Sequence, residues 1–143
     1  MAVRFGSESV WASRGRGFNM GCAIENTGHT VFLTGQVAWN QNEEIIGPGD
    51  VAEQTRQCFR NIEHMLSRVG GTLSDLVSLT TYYTSQNQLP EIQAVRLEFL
   101  KAETAPVSTS VMVAGLGHPE FLVELTPIAF IPSERFVRPS AET

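Results

Sequence analysis

The chain is poor in cysteine. It has two, Cys22 and Cys58. They stand far apart and in no C-x-x-C pattern, which argues against a disulfide framework and against a zinc site. Both are expected as reduced thiols used as small apolar groups. No apolar run approaches the roughly 18 residues that a bilayer-spanning helix needs. The N-terminal run MAVRFGSESVW has no basic stretch followed by an apolar one, so no signal peptide is expected and a cytoplasmic protein is the default. Basic charge is scarce: 10 Lys and Arg against 15 Asp and Glu, a formal net charge of -5. A general binder of the phosphate backbone needs a concentrated basic face, so no nucleic-acid partner is expected. G-x-G-x-x-G and Walker patterns are absent, and with them a nucleotide cofactor. The 3 histidines, His29, His64 and His118, form no H-E-x-x-H or other ligand spacing, so no metal is expected. There is no G-x-S-x-G elbow for a serine nucleophile, and no internal repeat, low-complexity tract or linker.

What is present suits one soluble globular domain: 143 residues, 42% hydrophobic and 17% charged. The expected domain spans 1–143, with a core over about 18–132, an N-terminal segment 1–17 and a tail 133–143. SRGRGF (13–18) is a Gly/Arg loop. MGCAIENTGHTVFLTGQV (20–37) is predicted as a hairpin turning at Asn26-Thr27-Gly28. The polar loop 38–50 follows and closes on Gly-Pro-Gly. A helix then starts at Asp50, an N-cap candidate with Glu53 three residues on. Its apolar stripe is Val51, Thr55, Cys58, Phe59, Ile62, Met65, Leu66 and Val69, and Gly70-Gly71 ends it. TLSDLV (72–77) leads into a strand at 77–84. A second helix is predicted over 89–102, with Pro90 in its first turn and Ile92, Val95, Leu97, Phe99 and Leu100 apolar. Strands at 107–115 and 121–131 complete the order β-β-α-β-α-β-β. The fold class is α+β: a single mixed β-sheet with two helices packed on one face.

The other sheet face needs cover. On 107–114, Val107, Val111 and Val113 point one way and Ser108, Ser110, Met112 and Ala114 the other; 121–131 is largely apolar on both faces. Such strands call for layers on both sides, and two helices supply one. A second copy of the chain is the expected cover, giving a closed homo-oligomer.

FLVELTPIAFIP (121–132) carries one carboxylate, Glu124, in an apolar strand. An unpaired ionised carboxylate is costly there, so Glu124 is expected to face water, to have partners, or to act as a general acid or base. Pro127 implies an edge or a bulge. FLTGQV (32–37) puts Thr34 and Gln36 on one face with Gly35 between them, where a close backbone approach is possible. PVSTSV (106–111) carries three hydroxyls, and His118 lies in the loop GLGHPE.

Three stretches together resemble the YjgF/RidA family of small enamine/imine deaminases: VFLTGQVAW, DVAEQTRQCFRNIEHMLSRVGGTLSDLVSLTTYYT, and APVSTSVMVAGLGHPEFLVELTPIAFIP. The resemblance covers about residues 28–132. It implies the chorismate-mutase-like YjgF fold, a homotrimer with clefts between subunits, and hydrolysis of an enamine or imine to a ketone and ammonia without metal or cofactor. Carried over by position, the family's catalytic glutamate falls on Glu124 and the hydroxyl of its sheet motif on Thr34, before Gly35. Its carboxylate-gripping arginine falls on Ser108, and the cysteine two positions further on Ser110. Its N-terminal tyrosine is nearest to Phe18 in character and to Gly21 in spacing. Serine cannot supply the arginine's charged fork; Arg14 and Arg16 are the candidate stand-ins. The reading is therefore a cofactor-free deaminase of a small, carboxylate-bearing imine or enamine. The alternatives are a non-catalytic ligand-binding trimer and an endoribonuclease.

Overall fold

The structure, a computed structural model, describes residues 2–141; the last two residues of the expected tail lie outside it. Eight regular elements follow in order: strands β1 (Ala2–Phe5), β2 (Gly21–Ile24) and β3 (Gly28–Phe32), helix α1 (Val51–Ser67), β4 (Leu76–Tyr83), helix α2 (Leu89–Phe99), β5 (Val107–Met112) and β6 (Val123–Pro132). The fold is α+β. The main sheet runs β3-β6-β4-β5, with β4 and β5 parallel and the other neighbours antiparallel. β1 and β2 form a separate antiparallel ribbon.

Two expectations change here. The hairpin over 20–37 does not form: β2 pairs with β1, while β3 pairs with β6 from Gly28–Pro132 to Phe32–Ile128. Partners distant in sequence take both strands. β6 is also a central strand, so Pro127 marks no edge. Leu125 exchanges both backbone hydrogen bonds with Gln36, so residues of its parity turn their N–H toward β3. Pro127 shares that parity, and its missing N–H falls in the break between the Phe32–Ile128 pair and the Gln36–Leu125 bridge. The irregularity lies in the facing chain, at 33–35.

α1 starts where the sequence indicates: the Asp50 side chain accepts from the Glu53 N–H at 3.1 Å. Its inner face buries Val51, Cys58, Phe59, Ile62 and Leu66, each close to fully covered. A buried Leu, Ile or Phe contributes about 1.5–3 kcal/mol relative to exposure. Met65, expected on that stripe, is half exposed at its flank. The helix ends on Gly70 at φ 80°, with Gly71 N–H bonding Leu66 O and Gly70 N–H bonding Ser67 O. α2 ends earlier than the spacing suggested, at Phe99. Leu100 turns extended to enter the core, and Phe99 stacks on Phe59 at 4.8 Å. Leu97, counted with the apolar face, is exposed. Arg56 reaches across from α1 to Glu98 at 2.9 Å and holds that carboxyl below its ordinary range.

The register divides the main sheet into two faces. Leu79, Thr81 and Tyr83 of β4 share the helix side with Pro127, Leu125 and Val123 of β6. Thr80 and Tyr82 share the opposite side with Thr126 and Glu124. Continuing outward, Phe32 lies on this second side at 74% exposure, and Val111 of β5 at 39%. Both helices pack on the first side, α1 through the core it shares with β4 and β6. Neither helix packs on the second.

Candidate active site

Glu124 sits on the helix-free face, directly across from Tyr82 and half-buried. Its orientation follows from strand alternation: Val123 and Leu125 turn into the core, at 0% and 1% exposure, so Glu124 must turn out. The chain at Gly35 lies directly against it. A Cβ at Gly35 would collide with Glu124 Oε2 and stand 2.9 Å from its Cδ. Any side chain at that position would displace the carboxylate from where it now lies. Thr34 is exposed beside it, and Gln36 folds back to donate from Nε2 to Thr34 O at 3.1 Å. Among the described residues no side chain hydrogen-bonds or salt-bridges Glu124. The charge has been placed on a face with no internal partner, so its acceptor sites are open to water or ligand.

A second cluster occupies the helix side. Ser110 pairs with Thr81 and Ser108 with Leu79, so both serines lie toward α2. From α2, Arg96 reaches to Ser110 and Thr81: its Nη2 donates to Thr81 Oγ1 at 3.2 Å and to Ser110 Oγ at 3.5 Å. Arg96 is 2% exposed and Thr81 fully buried, whereas Ser110 opens to solvent. Burial pulls the guanidinium's pKa down. The loop at 13–18 crosses over this residue, since a Cβ on Gly17 would be 2.8 Å from Arg96 Cδ. Phe18 meets Trp11 edge-on at 5.9 Å. Arg14, at φ 50°, and Arg16 are exposed on the same loop. Arg14 lines a surface depression with Gly6, Glu8 and Trp11.

The expected site residues thus fall into two groups. Glu124, Thr34 and Gly35 share one face; Ser108 and Ser110, beneath the loop of Arg14, Arg16 and Phe18, lie toward the other. Arg96 was missed. The available signal was an arginine beside Val95 and four residues after Ile92, on the buried stripe of α2. His118 Nδ1 accepts from Glu120 N–H at 3.0 Å and shapes its own turn. Cys22 and Cys58 are free thiols; burial first, then the Glu124 charge, pushes the Cys58 thiol far up, as befits an inert core group. Among the described residues no group of three His, Cys, Asp or Glu is placed to hold a metal ion, and no helix is long and apolar enough to cross a membrane.

The sequence model described as Endoribonuclease L-PSP matches residues 18–131. The chain belongs to this family, the YjgF/RidA proteins. The family's crystal structures include YyfB of Yersinia pestis, a Rid-family protein of unknown function. It is similar with a TM-score of 0.84 at 30% identity, over 91% of this chain and 98% of that one. The 3-aminoacrylate deaminase RutC of Acinetobacter baylyi is 31% identical over 101 residues, 71% of this chain and 79% of the relative. A 2-iminobutanoate/2-iminopropanoate deaminase of Dermatophagoides farinae is 32% identical over 91 residues, 62% of this chain and 69% of the relative. Within the YjgF/RidA family, then, relatives at about this distance are named as deaminases of small imino or enamino acids.

Proposed function

We propose that this chain is a cofactor-free hydrolytic deaminase of a small, carboxylate-bearing imine or enamine, working in the cytoplasm as a homotrimer. One observation carries the reading: Glu124 is held against Gly35 on the helix-free sheet face, with no side-chain partner among the described residues. A carboxylate so placed is a general base for water. Water adds to the imine carbon as Glu124 takes one of its protons, and the C=N electron pair is protonated at nitrogen. The resulting carbinolamine collapses to the ketone and expels ammonia. Water and imine in, ketone and ammonia out, balances without any redox partner.

The split of the site residues between two sheet faces supports placing the cleft between copies. Glu124, Thr34 and Gly35 of one copy would face Ser108, Ser110 and the Phe18 loop of its neighbour. Stacking a second copy on the open face also covers Phe32 and Val111, which a lone chain leaves exposed.

Ammonia release from imino acids generated freshly in the assay tests the proposal. Turnover above the uncatalysed rate is the expected result. Ligand-dependent shifts in melting without turnover over a broad imine panel would instead make the protein a binding trimer.

A further inference from the structure

We infer that Arg96 is the positive charge of an anion site at the free edge of β5, and that it recognises the substrate carboxylate through Ser110. That the anion is the substrate rests on the deaminase reading; that the site binds a small carboxylate does not.

The argument starts from a cation without a counter-ion. Arg96 is 2% exposed, yet no Asp or Glu among the described residues pairs with it. Among the described residues its side-chain acceptors are two neutral hydroxyls, Thr81 at 3.2 Å and Ser110 at 3.5 Å. A guanidinium has five N–H donors, and an unpaired buried charge is among the costliest features a fold can keep. Chains that need only packing at such a position use an apolar residue. The charge is also held in place: Gly17 closes over the aliphatic stem, where any Cβ would strike Cδ and Cγ, so the guanidinium stays directed at β5.

Ser110 transmits this charge to the surface. Its oxygen accepts from Arg96, which turns its own proton away from the guanidinium and toward solvent, where Ser110 is exposed. The strand edge adds donors. Val113 N–H turns inward to Tyr83 O, while Pro106 O turns outward to Asn19 N–H. By alternation, Ser108 and Ser110 direct their N–H groups to the outer edge, where no strand pairs with β5. The edge N–H of Ser110 and its hydroxyl, with a positive charge behind them, offer donors to a small carboxylate. The cation that Ser108 cannot provide thus comes from α2.

Thermal melting with pyruvate, and with methyl pyruvate as its uncharged counterpart, tests binding without requiring turnover. Pyruvate is expected to stabilise the native protein and methyl pyruvate to do so far less. In Arg96→Met the pyruvate affinity should fall about 10- to 100-fold, as for loss of one charge-assisted contact. Arg96→Lys should recover part of it, and Ser108→Arg should restore it in the Arg96→Met background. Should Arg96→Met fail to fold, Ser110→Glu leaves the arginine's packing intact and supplies an internal counter-ion; it too should abolish pyruvate binding. On imino acids the same variants should raise KM with a smaller change in kcat. Pyruvate binding that survives both Arg96→Met and Ser110→Glu overturns the proposal, as does binding lost instead in Arg14→Gln or Arg16→Gln. Arg96-dependent pyruvate binding without ammonia release would leave the anion site standing and remove the deaminase.

Discussion

Glu124 stabilises nothing within its own chain. It accepts no side-chain hydrogen bond and makes no ion pair among the described residues. Glu124→Gln should therefore change stability by about 0.5 kcal/mol or less. Turnover should fall by about 10²- to 10⁴-fold, the range for loss of a general base. Urea melts and ammonia release measured side by side check both halves, and unchanged turnover would remove Glu124 from its role. Gly35 is the steric counterpart. A methyl group there must displace the Glu124 carboxylate, the mobile end of its side chain, more than any backbone atom. Gly35→Ala is thus expected to cost activity roughly 10-fold or more, since catalytic groups tolerate displacements of only a fraction of an ångström, while the melting temperature moves little. Equal losses in both would show that Gly35 serves the fold. Glu124 and Gly35 were both legible in the sequence, as a lone charge in an apolar strand and a glycine between polar residues. Arg96 was not, because burial of a charged side chain in a helix depends on what lies opposite it.

Helices α1 and α2 were the most readable elements, since caps and stripe are local in sequence. Asp50 and Gly70 stand at the ends of α1 as the spacing indicates. Gly70 takes φ 80°, and a Cβ there would collide with Arg135 O of the segment after β6. Gly70→Ala should destabilise by at least about 1 kcal/mol, combining the left-handed strain with that collision. Denaturant melts check this, and a neutral effect would mean that the 135–137 segment moves aside freely. The strands were less readable. The positions of β2 to β6 follow from alternation, but β1 lies in the expected N-terminal segment, where no strand was expected, and the partners of β2 and β3 do not follow. Asn26-Thr27-Gly28 suits a hairpin turn, but β1 and β6 take the two strands as partners instead.

For the whole molecule, the decisive feature is that the two residue clusters lie on opposite sides of one sheet. A single copy cannot bring Glu124 to Ser110, so the proposed site needs a neighbour. Coexpression tests this. At substrate well below KM, Glu124→Gln and Ser110→Glu chains should each show little turnover alone. Assembled together at equal dose they should recover about a quarter of the native activity, because random mixing pairs an intact face with an intact face at about one interface in four. No recovery in mixed oligomers shown to form would place the whole site within one copy.

The sequence by itself determined the class of fold, the ends of the first helix, the family, and the lone carboxylate of the last strand. These are local or pattern properties, set by periodicity, caps and residue type. Only the tertiary structure decided which strands pair, that β6 is central despite Pro127, and that a buried arginine from α2 stands behind the serines of β5. Those depend on contacts between segments far apart along the chain, and in such contacts competition for partners, rather than the preference of any one segment, sets the outcome.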